Sequence, residues 1–152
     1  MEWLVVLEAV CRRLDELHEA GIVHCNLNAN NVIVTLSPVD AHIINYSLST
    51  RVSNSSVLGR LRGWKRILAK SPWYAPETLR GAIVTPATDV VGLASIIGNA
   101  GSAMTRGLPT AIKALLVGAN SHDTQQRPSV TDFANAFARA RKELQTLSKD
   151  EV

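Results

Sequence analysis

The stretch HCNLNANNVIV, positions 24–34, is the one around which the rest of the chain is organised. It places a histidine, a cysteine and four asparagines within eight residues, then turns into a β-branched run. Upstream, Trp3, Leu7, Val10, Leu14 and Leu17 recur at spacings of four and three, which predicts an amphipathic helix over 3–20 with a single apolar stripe. Gly21 follows as its left-handed stop. Downstream, 31–35 and 41–44 are short β-branched runs about LSPVD, whose Ser37, Pro38 and Asp40 supply turn chemistry, and a hairpin is predicted. A long helix thus delivers the chain to this stretch and a hairpin carries it away.

With 152 residues the chain is long enough for one compact domain with a real core and too short for two ordinary ones. It is 46% hydrophobic and 19% charged, without internal repeats, as expected of a single globule. A net charge of +3 and a pI near 9.1 imply only a weak preference for acidic partners. Cys11 and Cys25 form no CxxC pair, which excludes a zinc ribbon and a disulfide framework and points to an intracellular protein, cytoplasmic or nuclear. The opening MEWLVVLEAV is acidic where a signal peptide is basic. The longest uncharged run, 90–105, is too short to span a membrane and carries Gly98, Asn99 and Gly101, so it reads as a buried core helix.

Periodicity vanishes over 46–72, which reads as a long loop. Thr88 and Asp89 are expected to cap the apolar helix through Val90, Leu93, Ile96 and Ile97. Pro109 suits the first turn of another helix, with Ile112, Leu115, Leu116 and Ala119 on one face. Ser129 with Asp132 resembles a capping box for a last helix carrying Val130, Phe133, Phe137, Ala140 and Leu144.

The order of these elements, taken with HCNLNANN, INYSLS, YAPE, TDVVGLA and QQRPS, resembles the C-terminal (large) lobe of a eukaryotic-type protein kinase. The resemblance covers nearly the whole chain, and it is specific because five motifs stand in the family's order. It implies roles position by position. His24 matches the histidine of the H-R-D triplet, which packs and orients the loop. Cys25 stands where the family has the arginine that pairs with an activation-loop phosphate. Asn26 replaces the catalytic aspartate, and Asn28 the lysine that steadies the transferred phosphate. Asn31 matches the metal-binding asparagine, and the D-F-G triplet falls on Asn45, Tyr46 and Ser47. An amide cannot take up the substrate hydroxyl proton, and it brings no charge to hold magnesium. Ala75, Pro76 and Glu77 keep the A-P-E triplet, Arg127 matches the arginine that the family pairs with that glutamate, and Asp89 matches the aspartate that holds the loop backbone from the central helix.

No Gly-rich loop, V-A-I-K lysine or glutamate-bearing helix precedes the first helix, so the small lobe that covers ATP is expected to be missing. The link over about 100–108 is shorter than the family's and is expected to omit a docking helix.

Plainer readings stand beside these. His24 and His42 lack a carboxylate at a fixed near spacing and read as packing or hydrogen-bonding residues. Asn26, Asn28, Asn30, Asn31 and Asn45 also suit tight turns and left-handed positions, and that structural role is preferred. Cys11 reads as a small core residue, and Cys25 as a thiol with no triad about it. Glu77 and Arg127 read as a structural ion pair.

Arg51, Arg60, Arg62, Lys65, Arg66 and Lys70 follow Asp40 and precede Glu77 with no acid among them, and Trp64 and Trp73 are interleaved, with Tyr74 next. Such a segment suits a protein partner first, a solvated loop second and nucleic acid third.

The sequence therefore predicts a mainly α fold with a small β-hairpin: a kinase-like large lobe over 1–147 and a tail at 148–152. The function expected is that of a catalytically inactive, truncated pseudokinase with no metal site and no cofactor. It would bind a protein partner, a kinase or a kinase substrate, as a decoy or inhibitor. The alternative is a fragment or half of an active Ser/Thr kinase that uses ATP and magnesium.

Overall fold

The computed structural model describes residues 2–60, 68–104 and 107–150. Helix α1, Glu2–Glu19, buries Leu4, Leu7, Cys11 and Leu14 in one line, with Val10 beside them. Trp3 is not part of that stripe. It is 50% exposed, because it lies about 100° round the helix from Leu4, where the buried line begins. Gly21, at φ +77°, ends the helix by donating its N–H to the His18 carbonyl at 2.9 Å.

Strand β1, Ile22–Val23, leads into the 24–31 loop, which closes in a 3-10 turn at Ala29–Asn31. Strands β2, Val32–Leu36, and β3, Val39–Ile43, then form an antiparallel hairpin from Val32 opposite Ile43 to Leu36 opposite Val39. Ser37 and Pro38 alone make the turn, so the strands reach further than the β-branched runs suggested. Arg13 fastens the hairpin to α1: its Nε donates to Asp40 Oδ1 and to the Ala41 carbonyl, each at 3.2 Å.

The stretch expected to be loop over 46–72 contains structure. Strand β4, Thr50–Arg51, pairs with β1, placing Arg51 opposite Ile22 and Thr50 opposite Val23. A 3-10 turn follows at Val57–Arg60, and Ser55 bridges Ile83. Elements this short leave no periodicity to read. Arg62, Trp64, Lys65 and Arg66 lie outside the described residues.

Helix α2, Pro76–Arg80, precedes α3, Pro86–Ala103. The cap of α3 is Thr85, not Thr88 or Asp89. Thr85 and Thr88 bond reciprocally across the first turn with Pro86 at the first helical position, which leaves Asp89 inside the helix and free for other work. Val90, Val91, Leu93, Ala94, Ile96 and Ile97 bury α3 on most sides. Helix α4, Thr110–Ala119, follows Pro109. Helix α5, Val130–Asp150, starts with Ser129 Oγ accepting from Asp132 N and Asp132 Oδ2 accepting from Ser129 N.

Among the described residues the architecture is mainly helical with two small antiparallel sheets. α1 packs most extensively along α5 and carries β3 as well. Leu7, Leu14, Leu27, Leu93, Ile97, Phe133 and Phe137 join in one core. Each large apolar side chain buried there contributes about 1.5–3 kcal/mol relative to exposure, so α1, α3 and α5 form the rigid frame on which the loop sits. Among the described residues no helix is long and apolar enough to cross a membrane.

Candidate functional site

The loop is held from below by α3. Asp89, itself buried, turns its carboxylate to the start of the loop: Oδ2 accepts from His24 N at 2.8 Å and Oδ1 from Cys25 N at 2.8 Å. Oδ2 also lies 2.9 Å from His18 Nε2 at the end of α1. Cys25 is thereby kept at φ +63°, a left-handed position that costs a residue with a Cβ about 1–2 kcal/mol. Hydrogen bonds to an ionised carboxylate are roughly twice as strong as neutral ones and offset that cost. Gly92, one turn further along α3, lies under Leu27. A Cβ there would overlap the Leu27 carbonyl oxygen and come within 2.9 Å of the Leu27 Cβ, so the close approach needs glycine.

His24 is fully buried. Its Nε2 faces the Ile44 carbonyl at 2.9 Å, which can only accept, so Nε2 carries the hydrogen. Nδ1 is then the acceptor of the Asn26 N–H at 3.2 Å. Both nitrogens are engaged with backbone, and the ring meets Tyr46 edge-on, with centroids 5.2 Å apart. It is an orienting residue, tying the loop to the end of the hairpin.

The asparagines form a connected net. Asn31 Nδ2 donates to the Asn26 carbonyl at 2.8 Å, and Asn28 Nδ2 to the same carbonyl at 3.0 Å. Asn28 Oδ1 accepts from Asn30 N at 3.0 Å, capping the 3-10 turn. Asn45, at φ +62°, donates through Nδ2 to Asn31 Oδ1 at 3.4 Å, and its own Oδ1 accepts from Ser47 Oγ at 2.8 Å. The amides bind one another and the backbone of the loop. Among the described residues no group of three or more His, Cys, Asp or Glu gathers as a metal cage would require.

The Cys25 thiol is pushed up to about 12 by burial, with the Asp89 and Glu77 carboxylates adding to the shift. It is a poor nucleophile at neutral pH. Glu77 and Arg127 lie under the same region as a bidentate pair, Nη1 to Oε1 at 2.6 Å and Nη2 to Oε2 at 3.0 Å. Arg127 also donates to the carbonyls of Ser121 at 2.8 Å and Ala87 at 3.0 Å, binding three segments together. Burial pushes the Glu77 carboxyl up, but the Arg127 hydrogen bonds and charge outweigh that and hold it below its ordinary value.

Residues 1–97, which contain this loop, its hairpin and most of α3, match the protein tyrosine and serine/threonine kinase family. The chain belongs to that family. No curated protein matches it. In this kinase-family chain the structure brings His24, Asn26, Asn28, Asn31 and Asn45 into one hydrogen-bonded unit above Asp89. Arg51, Arg60 and Lys70 are exposed, and Trp73 and Tyr74 are half-buried with ring centroids 5.8 Å apart. Two residues of the site escaped the sequence reading. Gly92 carried a usable signal, a glycine inside an otherwise apolar buried helix, which points to close backbone approach. His18 carried none, since a histidine in a last helical turn needs no reason beyond the helix dipole.

Proposed function

We propose that this kinase-family chain is the large lobe of a pseudokinase, which transfers no phosphoryl group and acts by binding a protein partner. The reading is that it competes, as a decoy or inhibitor, for an active kinase or for that kinase's substrate. One observation carries it: the loop's frame is complete while its chemistry is spent inward. Asp89, the carboxylate bonded to this loop, is occupied by the His24 and Cys25 amides, and the outer positions carry amides bonded to each other.

Phosphoryl transfer in this family needs metal ions on the phosphates and a carboxylate to take up the hydroxyl proton. Magnesium is a hard cation that favours carboxylate and phosphate oxygens. Asn31 and Asn45 offer neutral amide oxygens, bonded to Asn45 Nδ2 and Ser47 Oγ. That donor set does not suit the ion. The partner surface is assigned to the exposed Arg51, Arg60 and Lys70 with Trp73 and Tyr74, which fit an acidic or phosphorylated protein face.

A thermal-shift titration with ATP, with and without magnesium, tests the catalytic half of the reading. A ligand that binds only the native state raises the melting temperature. No shift is expected in either arm, and a magnesium-dependent rise overturns the reading. The binding half is tested by retention of kinases or kinase substrates on the immobilised chain, reduced when Arg51, Arg60 and Lys70 are changed to Ala; recovery of neither class counts against it.

A further inference from the structure

The β2–β3 hairpin has two outer edges, and only one is closed. Along β3, side chains take up the backbone: the Ala41 carbonyl accepts from Arg13 Nε at 3.2 Å, Ala41 N donates to Asp40 Oδ1 at 2.8 Å, and the Ile43 carbonyl accepts from the Tyr46 hydroxyl at 3.0 Å. Helix α1 packs over the same strand. β2 has no such cover. Its neighbour on one side is β3, and among the described residues no strand pairs with its other side. Outside that ladder, no described residue bonds a backbone group of Ile33, Val34, Thr35 or Leu36.

An open edge is ordinarily blunted by a charge, a proline or a bulge. β2 carries none of these. No Asp, Glu, Lys or Arg lies between Glu19 and Asp40, Pro38 is in the turn, and the register runs from Val32 to Leu36 without interruption. The strand is also apolar where it is exposed. Ile33 is 51% exposed, Val34 37% and Leu36 60%, and because successive side chains of a strand point to opposite faces, β2 is bare on both. No other element among the described residues exposes three large apolar side chains.

A row of unpaired amides and carbonyls is matched by another extended strand, so the occupant that fits is a β-strand. A second copy of this chain brings one that is already extended and fixed against β3. Pairing with it orders no chain, whereas a foreign peptide must first be straightened. Self-pairing also sets Val, Ile, Thr and Leu against one another with no charge on either side, which favours the contact.

We propose that two copies of this chain pair antiparallel through β2, about Val34 and Thr35, and join their hairpins into one continuous sheet. The two-fold operation uses the open edge of each copy once and leaves the closed edges of β3 outermost, so assembly stops at the dimer. One row of hydrogen bonds with its flanking side chains makes a small interface, of the kind below about 1,200 Å² that gives a weak, reversible complex. The pairing uses none of Arg51, Arg60 and Lys70 and does not depend on the partner proposed for them.

Sedimentation velocity over a wide concentration range tests it. The parent chain is expected to pass from monomer to dimer as concentration rises. Val34→Lys with Thr35→Lys sets like charges opposite each other across the axis and should weaken the dimer about tenfold or more, and Val34→Glu with Thr35→Glu should do the same. Mixing the lysine and glutamate variants should restore a dimer with one copy of each, because every charge then meets its opposite. Val117→Lys, at an 85% exposed position on α4, should dimerise like the parent. Melting temperatures read at low concentration report folding, and if a paired variant unfolds, the single change at the exposed Thr35 takes its place. The proposal is overturned if the parent stays monomeric at every concentration, if the lysine variant dimerises like the parent, or if the mixed variants stay apart. A parent that stays monomeric but takes up an uncharged strand-forming peptide assigns the edge to a foreign strand and overturns it equally.

Discussion

Asp89 Oδ1 lies 2.8 Å from the backbone nitrogen of Cys25, a residue held left-handed at φ +63°. The bond explains how a side chain that pays for a strained position can sit there: the other oxygen grips His24 N and His18 Nε2, so one buried carboxylate satisfies three donors. Asp89→Asn removes the charge and turns an NH₂ group toward one of those donors. A loss of about 2–4 kcal/mol is expected, since bonds to charged groups contribute about 1.5–3 kcal/mol each and a buried donor is left unmade. Urea denaturation at unchanged m-value measures it. A loss within error would show that the loop holds its shape without the tether.

Two glycines of the same helix should respond in opposite directions. Gly92→Ala places a methyl group against the Leu27 carbonyl, and backbone cannot give way as a flexible side chain can. Overpacking of this kind costs about 1–3 kcal/mol. Gly98, exposed on α3, has nothing within 4 Å of the position a Cβ would take. Gly98→Ala is therefore expected to stabilise by about 0.5–1 kcal/mol through helix propensity. In a domain of this size that separates the two melting temperatures by several degrees, at roughly 2–4 °C per kcal/mol. Equal shifts would mean that the loop does not rest on α3.

Much of the fold was legible because its helices are amphipathic and capped. The spacing of Val130, Phe133, Phe137 and Ala140 located α5, and the Ser129–Asp132 box located its start. The kinase family was legible in the order of the motifs: residues 1–97, which hold four of the five, match it, and QQRPS lies beyond the match. Trp3 was misplaced because steps of four and three fit two neighbouring stripes equally well, and only packing selects the one through Leu4. The β1–β4 pairing was illegible: two-residue strands have no period, and their partners lie 27 or more positions apart. The asparagine net was visible as composition only. Residue type says that amides can donate; it does not say that Asn31 donates to the Asn26 carbonyl.

Cys25 offers a chemical check on the packing of the loop. With its thiol pushed up to about 12 by burial and by the Asp89 and Glu77 charges, almost none of it is thiolate at pH 8. Cys11 is pushed up further, by burial first and then by Asp15 and Glu8. Native protein should therefore consume iodoacetamide far more slowly than a free thiol at pH 8, and both cysteines should react in urea, as counted by intact mass. Rapid labelling of Cys25 in the native state would mean that the loop opens readily.

Glu77 and Arg127 join α2 to the segment before α5 through a pair buried on both sides, at 2.6 and 3.0 Å. Arg127→Ala strands the carboxylate and should cost about 3–5 kcal/mol. The double variant Glu77→Gln with Arg127→Met removes both charges and should recover much of that loss. The pair also fixes a pH dependence. Burial raises the Glu77 carboxyl, but Arg127, together with hydrogen bonds from the Glu77 backbone and Thr88, more than reverses it, so the folded group titrates below its ordinary value of 4.5. A depressed folded value means that the stabilisation is complete above about pH 4.5 and is lost as pH falls through the folded value. Asp40, held low chiefly by its hydrogen bond from Arg13, acts in the same direction and is untouched by the double variant. Asp15, raised by burial, opposes both and is likewise unchanged in the double variant, so stability of the parent should fall below pH 4.5 and that of the double variant should fall less steeply. Denaturant melts from pH 3 to 7 distinguish the two slopes, and identical slopes would show that Glu77 keeps its ordinary value in the folded chain.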